Sequence, residues 1–279
     1  MKTILTTIFV CATALSFGQE SGKATTEEDP GPAIQPLINY IVQNIVTDRP
    51  GQCDASSTVG KKVFQLETGG SYFLFEDDII KNSRTSVNFT GLRYGITPNI
   101  EARLISEYSI RKSEIPSINF LDEKGGLESL ILGTKFGLTR NKGFLPEMAF
   151  VAQFSLPKTG KEAFRANHSI YNLKMCFANG LSEKFTLNYN LGLIGDGQTA
   201  YSTATYATAL WYSVNNRIGF FGELYGSWRE QNKASLLTDF GASYLINYNF
   251  QLDLSGGLGI SEGTDNWYAS VGLSYRFDK

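Results

Sequence analysis

The C-terminal end of the chain alternates between apolar and small, polar or charged residues. Its last segment, residues 267–277, reads WYASVGLSYRF, with aromatic or aliphatic side chains at the odd-numbered positions. Successive side chains of a β-strand point to opposite faces, so the odd-numbered positions would share one apolar face. A strand with this alternation that closes on an aromatic residue, here Phe277, is typical of the closing strand of a transmembrane β-barrel.

The same period of two recurs along most of the chain from Lys61 onward. It predicts about twelve strands, an even number of the kind that single-chain bacterial barrels have. The fold class is therefore predicted as all-β, an antiparallel transmembrane β-barrel of about 12 strands. The predicted apolar faces lie within residues 64–74, 87–89, 100–108, 130–138, 148–154, 171–177, 185–193, 206–212, 218–228, 240–246, 250–260 and 267–277.

The connections between the predicted strands alternate in length and composition. One set is short and carries Gly, Asn or Pro, the residues that tolerate turn dihedrals. The other set is longer and more polar, and its largest members are residues 109–126 and 157–168. Bacterial barrels have short periplasmic turns and longer outer loops, so these two stretches are predicted to form the outer mouth. The short turns lie near Thr97, Asn141, Gly180, Asn215 and Asn249.

The N-terminus predicts a secretion signal over residues 1–18. A positive charge at Lys2 precedes an apolar stretch over residues 4–15, and small residues follow at Ser16 and Gly18. This order of charge, apolar stretch and small residues is that of a cleavable signal peptide. The apolar stretch is too short to cross a membrane as a helix, and no later apolar run reaches the length of about 18 residues that a membrane helix needs.

Residues 19–60 are predicted to precede the barrel, which would occupy residues 61–279. The first part is polar and acidic and predicts a disordered leader. Apolar residues then recur at helical spacing between Leu37 and Val46, which predicts a short amphipathic helix. Residues 47–60 are polar and predict a periplasmic connector. Two positions remain open for the helix, which would either plug the barrel from below or lie on the inner leaflet.

The composition fits a barrel and excludes several other classes of protein. The chain contains 28 Gly, 19 Phe and 14 Tyr, and 19% of its residues are charged, below the usual share of about 25%. Its net charge of −2 argues against a nucleic-acid partner. Past the signal peptide there are two cysteines and one histidine, too few for a histidine or thiolate metal cluster. No metal and no cofactor are therefore predicted.

Four segments together resemble a known family. They are TDRPGQCDASSTVGKKVFQLETGGSYF (47–73), GLRYGITPNIEARL (91–104), SLPKTGKEAF (155–164) and LDLSGGLGISEGTDNWYASVGLSYRF (252–277). The chain resembles the outer-membrane, transporter-like family catalogued as the MetA-pathway of phenol degradation. The resemblance implies a Gram-negative outer-membrane barrel, and the family name implies an aromatic solute. It identifies no catalytic residue. Cys53 stands where family members usually carry an acidic or polar residue, which leaves the role of the connector open.

Charged residues of both signs recur on the faces that are predicted to point into the barrel. An Arg or Lys facing lipid at mid-membrane would cost about 2–4 kcal/mol, which favours an inward position. Such charges would either pair across the lumen and seal it or line a polar path for a solute, and both readings stay open. The candidates that line the lumen are Glu67, Glu101, Arg103, Glu107, Arg111, Glu128, Glu147, Lys174, Glu223, Asp239, Asp253 and Arg276.

The sequence predicts that the protein is not an enzyme. The only histidine, His168, precedes Ser169, and neighbouring residues on a strand face opposite ways, so the pair cannot act as base and nucleophile. The chain has no G-x-S-x-G motif. Cys53 and Cys176 are both predicted near the periplasmic end of the barrel. Because the periplasm oxidises thiols, they are a candidate disulfide.

The predicted function is that of an outer-membrane barrel in a Gram-negative bacterium, acting as a passive channel or transporter for a small solute. An aromatic or hydrophobic solute is a candidate. The alternative is a closed barrel with a binding or structural role carried by its outer loops. The predicted partners are outer-membrane lipid, the barrel-assembly machinery through the C-terminal strand, and an unidentified small solute, with no nucleic acid.

Overall fold

The computed structural model describes residues 44–76, 79–140, 144–196, 198, 202–230, 234–261 and 265–277. The predicted signal peptide, the leader and the predicted helix up to residue 43 lie outside the described residues. Residues 44–46 of that helix are described, and they are not helical. The N–H of Ile45 instead donates to the carbonyl of Tyr248 at 2.7 Å. Among the described residues, no helix is long and apolar enough to cross a membrane.

Thirteen strands and one short 3₁₀ helix make up the regular structure of the described residues. The 3₁₀ helix spans Pro116–Ile118. The strands are β1 Phe64–Glu76, β2 Lys81–Thr97, β3 Ile100–Ile115, β4 Phe120–Leu127, β5 Ile131–Thr139, β6 Glu147–Ser155, β7 Tyr171–Gly180, β8 Phe185–Gly195, β9 Thr203–Ser213, β10 Ile218–Trp228, β11 Ser235–Asn247, β12 Phe250–Gly259 and β13 Asp265–Phe277.

The strands form one antiparallel sheet that closes on itself. From β1 to β4 and from β5 to β13, each strand pairs with the next one along the chain. β1 also pairs with β13, in a register that starts with Phe64 opposite Phe277. β4 and β5 both pair with β3, β4 along its outer half and β5 along its inner half. These two strands therefore make up one strand of the wall, and the wall has twelve strands. The predicted all-β barrel is confirmed.

The two faces of each strand differ as the alternation predicts. In β12, Leu252, Leu254 and Leu258 are exposed on the outer face, whereas Gln251 and Asp253 on the inner face are buried. A soluble protein would place these side chains the other way round, because its polar face would meet water. The apolar outer face is suited to lipid, and the polar side chains and their hydrogen bonds lie inside the closed sheet.

The two largest predicted outer loops have different structures. The prediction of a loop over residues 109–126 is wrong. β3 continues to Ile115 and the chain returns as β4, with Lys112 paired opposite Glu123. Opposite charges facing each other across two strands stabilise such a hairpin, even though its composition is that of a polar loop. Residues 157–168 do connect two strands outside the sheet. The side chain of Phe164 in this loop is buried.

Candidate functional site

Residues 44–60 run into the barrel and back out again, and we call them the lumen segment. Ile45 bonds to Tyr248 where the segment goes in, and Thr58 donates to the carbonyl of Pro98 at 2.8 Å where it leaves. Both partners lie in inner turns. Between these points the segment reaches strands β10 and β12. The polar connector that was predicted to lie in the periplasm is therefore inside the barrel, because its charges and backbone groups find partners on the wall.

Four cationic side chains on one side of the lumen receive the segment, and we call them the basic cradle. They are Arg93 on β2, Arg103 on β3, Lys135 on β5 and Lys174 on β7. Asp48 of the lumen segment forms ion pairs with three of them: with Arg103 in a very close contact, with Lys135 at 2.9 Å and with Arg93 at 3.6 Å. All the polar atoms involved lie away from water, where an ion pair is stronger than at a surface.

Asp54 is the second carboxylate that the segment places in the cradle. Its Oδ2 lies 2.9 Å from the Nζ of Lys174 and 3.9 Å from the Nη1 of Arg103. Burial alone would raise the pKa of Asp48 and of Asp54, but the cradle outweighs it. Arg103, Arg93 and Lys135 hold the pKa of Asp48 well below its ordinary value, and Lys174 and Arg103 lower the pKa of Asp54. Both carboxylates are therefore ionised at neutral pH.

Two carboxylates of the wall neutralise part of the cradle and hold the backbone of the lumen segment. Glu67 and Glu101 each lie 2.8 Å from the guanidinium of Arg93. Glu67 also accepts the N–H of Asp48 at 3.1 Å, and Glu101 accepts the N–H of Val59 at 2.9 Å. These bonds satisfy backbone donors that would otherwise be buried without a partner, at a cost of about 1–3 kcal/mol each.

The opposite side of the lumen is acidic and receives the top of the segment. Arg49 forms an ion pair with Asp253 at 2.9 Å and donates to the hydroxyl of Ser270 at 3.1 Å. Glu223 accepts the N–H of Gln52 at 2.7 Å. Asp239 pairs opposite Glu223 across β10 and β11 and accepts the Tyr268 hydroxyl at 2.5 Å. The segment thus places the carboxylates of Asp48 and Asp54 against the basic side of the wall and the guanidinium of Arg49 against the acidic side.

Two glycines allow Arg49 to lie flat against the wall. A Cβ atom at Gly272 would overlap the guanidinium of Arg49, and one at Gly69 would lie 2.8 Å from its Nη2. The Arg49–Asp253 pair therefore depends on the absence of a side chain at these positions.

Gly272→Ala should push Arg49 off Asp253 and loosen the lumen segment without unfolding the barrel. The expected loss is about 1–3 kcal/mol of the free energy that holds the segment, the usual cost of overpacking. Alkylation of the buried Cys53 in detergent-solubilised protein measures it, and we expect faster alkylation in the variant. The matched control is Gly91→Ala, whose Cβ would have its nearest contacts at ordinary distances, with the ring of Phe89 at 3.5 Å and the Glu67 carbonyl at 3.8 Å. Equal alkylation of both variants would contradict the role of Gly272.

The structure divides the predicted lumen residues into three groups. Seven of them surround the lumen segment and are buried or nearly so: Glu67, Glu101, Arg103, Lys174, Glu223, Asp239 and Asp253. Three form an outer cluster around Arg84, which lies 2.8 Å from Glu107 and 3.2 Å from Glu128, while Arg111 lies 2.9 Å from Glu128. The last two lie at the inner end, where Glu147 lines a cavity and Arg276 donates to Asn249 at 2.9 Å.

The sequence reasoning missed five charged residues of the site. Arg93 and Lys135 lie on strands, and the alternation that places Tyr94 outward was a usable signal for Arg93. Asp48, Arg49 and Asp54 lie in the connector, where no periodicity marks a residue as buried.

The predicted disulfide is absent from the structure, in which both cysteines are free. Cys53 packs against Ala207 and Ala209 of β9, whereas Cys176 packs against Ala149 and Val151 of β6. The two thiols therefore belong to separate apolar patches on the lumen wall. Their spacing in the sequence could not reveal this, because it depends on how the connector turns inside the barrel.

One cavity adjoins the lumen segment, and another lies among the residues of the outer cluster and the outer hairpin. The inner one has a volume of about 1120 Å³ and lies between the segment and the inner turns, including Pro98, Asn99 and Asn215. The outer one, of about 410 Å³, lies between Phe75, Arg84 and Phe164. Among the described residues, no group of three or more His, Cys, Asp or Glu side chains is arranged to hold a metal ion.

A closed twelve-stranded sheet, apolar outside and charged inside, defines the chain as an outer-membrane β-barrel protein of the kind found in Gram-negative bacteria. Residues 47–277 match the family described as "Putative MetA-pathway of phenol degradation", and the chain belongs to this family. The match begins at Thr47, so it includes most of the lumen segment as well as the barrel. No curated protein sequence matches the chain.

Solved structures with the same fold include channels and transport domains. An outer membrane channel from Pseudomonas putida F1 is 12% identical, with a TM-score of 0.62 over 82% of this chain and 99% of that one. The translocator domain of the autotransporter NalP from Neisseria meningitidis is 13% identical, with a TM-score of 0.51 over 78% of this chain and 89% of that one. At these identities the likeness shows the shared barrel fold alone.

Proposed function

We propose that the protein is a passive channel for a small solute and that the lumen segment closes it. The observation that carries this proposal is the filling of the lumen. The space inside the barrel is occupied by a stretch of the chain that enters and leaves at the inner end, and the wall meets it mainly with charged and polar groups. A wall whose own side chains filled the lumen would leave no path at all.

The size of the barrel supports the same proposal. Barrels of about eight strands are filled by their own side chains, and those of about sixteen or more leave an aqueous channel. A wall of twelve strands lies between these limits, and here it surrounds two passes of the lumen segment. The space that two extended passes occupy is wide enough for a small solute once the segment has moved. The fold of an outer membrane channel from Pseudomonas putida F1 is consistent with this reading.

A polar contact surface suits a segment that leaves and returns. Apolar contacts would be lost on exposure to water, whereas Asp48, Arg49 and Asp54 would be solvated again in the periplasm. The wall charges that remain would line a water-filled path, which has a high effective dielectric constant. We assign no enzymatic activity, since His168 is exposed in an outer loop and Ser169 donates to the carbonyl of Ser155 at 2.9 Å.

The test is single-channel conductance in a planar bilayer, for the mature protein and for a variant that lacks residues 44–60. We expect little conductance from the first and steady conductance from the second. Heat-modifiable migration in electrophoresis checks that the variant still forms a barrel. If the deletion prevents folding, Gly272→Ala serves instead, since it loosens the segment while leaving it in place. Silence from folded variants of both kinds would overturn the channel and favour a closed barrel that acts through its outer loops.

A further inference from the structure

The basic cradle carries more positive charge than the wall neutralises. Its four cationic side chains face two wall carboxylates, Glu67 and Glu101, and two positive charges remain. Asp48 and Asp54 of the lumen segment supply the two negative charges that complete the balance. When the segment leaves, this side of the lumen therefore keeps an uncompensated double positive charge, while Asp253 on the opposite side loses its partner Arg49.

The two carboxylates of the segment lie on either side of a single guanidinium. The Nη2 of Arg103 contacts Asp48, and its Nη1 lies 3.9 Å from Asp54. Lys135 binds the first carboxylate and Lys174 the second, both at 2.9 Å. The cradle is thus two adjoining carboxylate sites that share Arg103.

The lumen segment does not satisfy this cradle completely. Arg103 is only 7% exposed, yet its Nε and Nη1 atoms have no hydrogen-bond partner among the described residues. A buried donor without a partner costs about 1–3 kcal/mol, and more when it is charged. A free solute can place its carboxylate closer to Nη1 than Asp54 does, because it is not tied to a backbone that must also reach Glu223 and Glu101.

We propose that the channel takes small dicarboxylates, whose two carboxylates replace those of Asp48 and Asp54 on Arg103, Lys135 and Lys174. This inference rests on the proposed function and names the solute class for the same lumen. The segment then acts as a tethered competitor of the solute. A dicarboxylate that binds the basic cradle displaces the segment and so opens the lumen for its own passage.

Cys53 reports whether the segment is in place. This residue is 8% exposed and packs against Ala207 and Ala209. Burial and the nearby Glu223 carboxylate raise the pKa of the thiol, and only the thiolate reacts with maleimides. The rate of alkylation of Cys53 therefore rises when the segment leaves the lumen. The variant Cys176→Ser removes the second thiol, so that the signal belongs to Cys53.

The experiment measures the alkylation of Cys53 by N-ethylmaleimide in detergent-solubilised Cys176→Ser protein. Succinate, and phthalate as an aromatic dicarboxylate, are compared with neutral succinamide, sulfate, phenol and potassium chloride at matched ionic strength. We expect both dicarboxylates to raise the rate about tenfold or more, as a saturable shift of the segment between two states. Sulfate tests whether two negative charges suffice without the separation of two carboxylates, since one compact dianion cannot occupy both carboxylate positions. Phenol tests the neutral aromatic solute.

The variant Lys174→Gln should weaken the response to the dicarboxylates, because it removes the partner of one carboxylate. Lys124→Gln, on the exposed outer hairpin, should leave the response unchanged. The proposal is overturned if the dicarboxylates act no better than chloride, or if phenol or sulfate releases the segment equally well. A barrel that conducts without residues 44–60 while succinate has no effect would keep the channel and reject this solute class. If succinate exposed Cys53 but no variant conducted, the dicarboxylate site would be kept and the channel would be rejected.

Discussion

Asp48→Asn should open the channel at neutral pH. The substitution keeps the shape of the side chain and removes the charge that Arg103 and Lys135 contact. Breaking a buried ion pair by removing one partner costs about 3–5 kcal/mol, because the other charges stay buried without compensation. That loss falls on the seated state of the lumen segment alone, so the ratio of seated to released segment should drop by about two to four powers of ten. Single-channel conductance measures the result as a rise in open probability.

Asp122→Asn is the matched control for this prediction. Asp122 also pairs with a lysine, Lys124, at 2.6 Å, but both side chains are exposed on the outer hairpin. Exposed pairs contribute about 0–1 kcal/mol, and this one does not touch the lumen segment. Its variant should conduct no more than the unmodified protein. If Asp48→Asn stayed closed, with Cys53 still protected from alkylation, the cradle would not be what holds the segment.

The barrel could be predicted because each strand repeats a local rule. In β12, residues 250–255 alternate between lipid and lumen without exception, and the alternation decides the face of every side chain. The rule fails where glycines interrupt it. Gly125 and Gly126 in β4 have no side chain to mark a face, so the local pattern predicts a loop for the returning half of the outer hairpin. Its pairing with β3 joins residues far apart along the chain, such as Tyr108 and Leu127, and the local pattern does not contain that register.

The site could be predicted only in part, because its two sides come from different kinds of sequence. Glu101, Arg103 and Lys174 lie at inward positions of predicted strands, and the cost of a charge in lipid was enough to place them inside. Asp48 lies 55 residues before Arg103 and 87 before Lys135, in a polar connector that would be equally stable in water. Nothing short of the folded barrel reveals that its charge completes the cradle. The absent disulfide has the same origin, since the path of the connector decides where Cys53 lies.

The lumen segment should stay seated from neutral pH through the ordinary range of carboxyl groups and leave only in stronger acid. The pKa of Asp48 is well below its usual value and that of Asp54 is also lowered, although burial acts in the opposite direction, because the cradle favours the charged forms. The released segment is in water, where both groups have their ordinary pKa of about 3.9. The seated state therefore binds fewer protons than the released state at moderately acid pH.

The sign of the pH dependence follows from this difference. A carboxyl group whose pKa is lower when the segment is seated stabilises that state fully at any pH above its ordinary pKa. The contribution shrinks as the pH falls below the ordinary value and is gone once the pH has passed the lowered one. The cationic side chains of the cradle keep their charge in acid, so protonation of Asp48 and Asp54 leaves them without a partner. Their mutual repulsion then favours release.

Conductance recorded from pH 7 down to about pH 2 checks this prediction, since the lowered pKa values lie below the ordinary value of about 3.9. We expect the intact protein to stay closed above that value and to open below it, in a transition steeper than a single group would give, because two carboxyl groups lose their charge together. The variant without residues 44–60 is the control, and it should conduct across the whole range without such a step. Opening between pH 5 and 7 would contradict this prediction, because Asp48 and Asp54, whose pKa values are lowered, do not change their charge in that range. Another group would then hold the segment, and Glu223 and Asp239 on the acidic side would be the first residues to substitute in further variants.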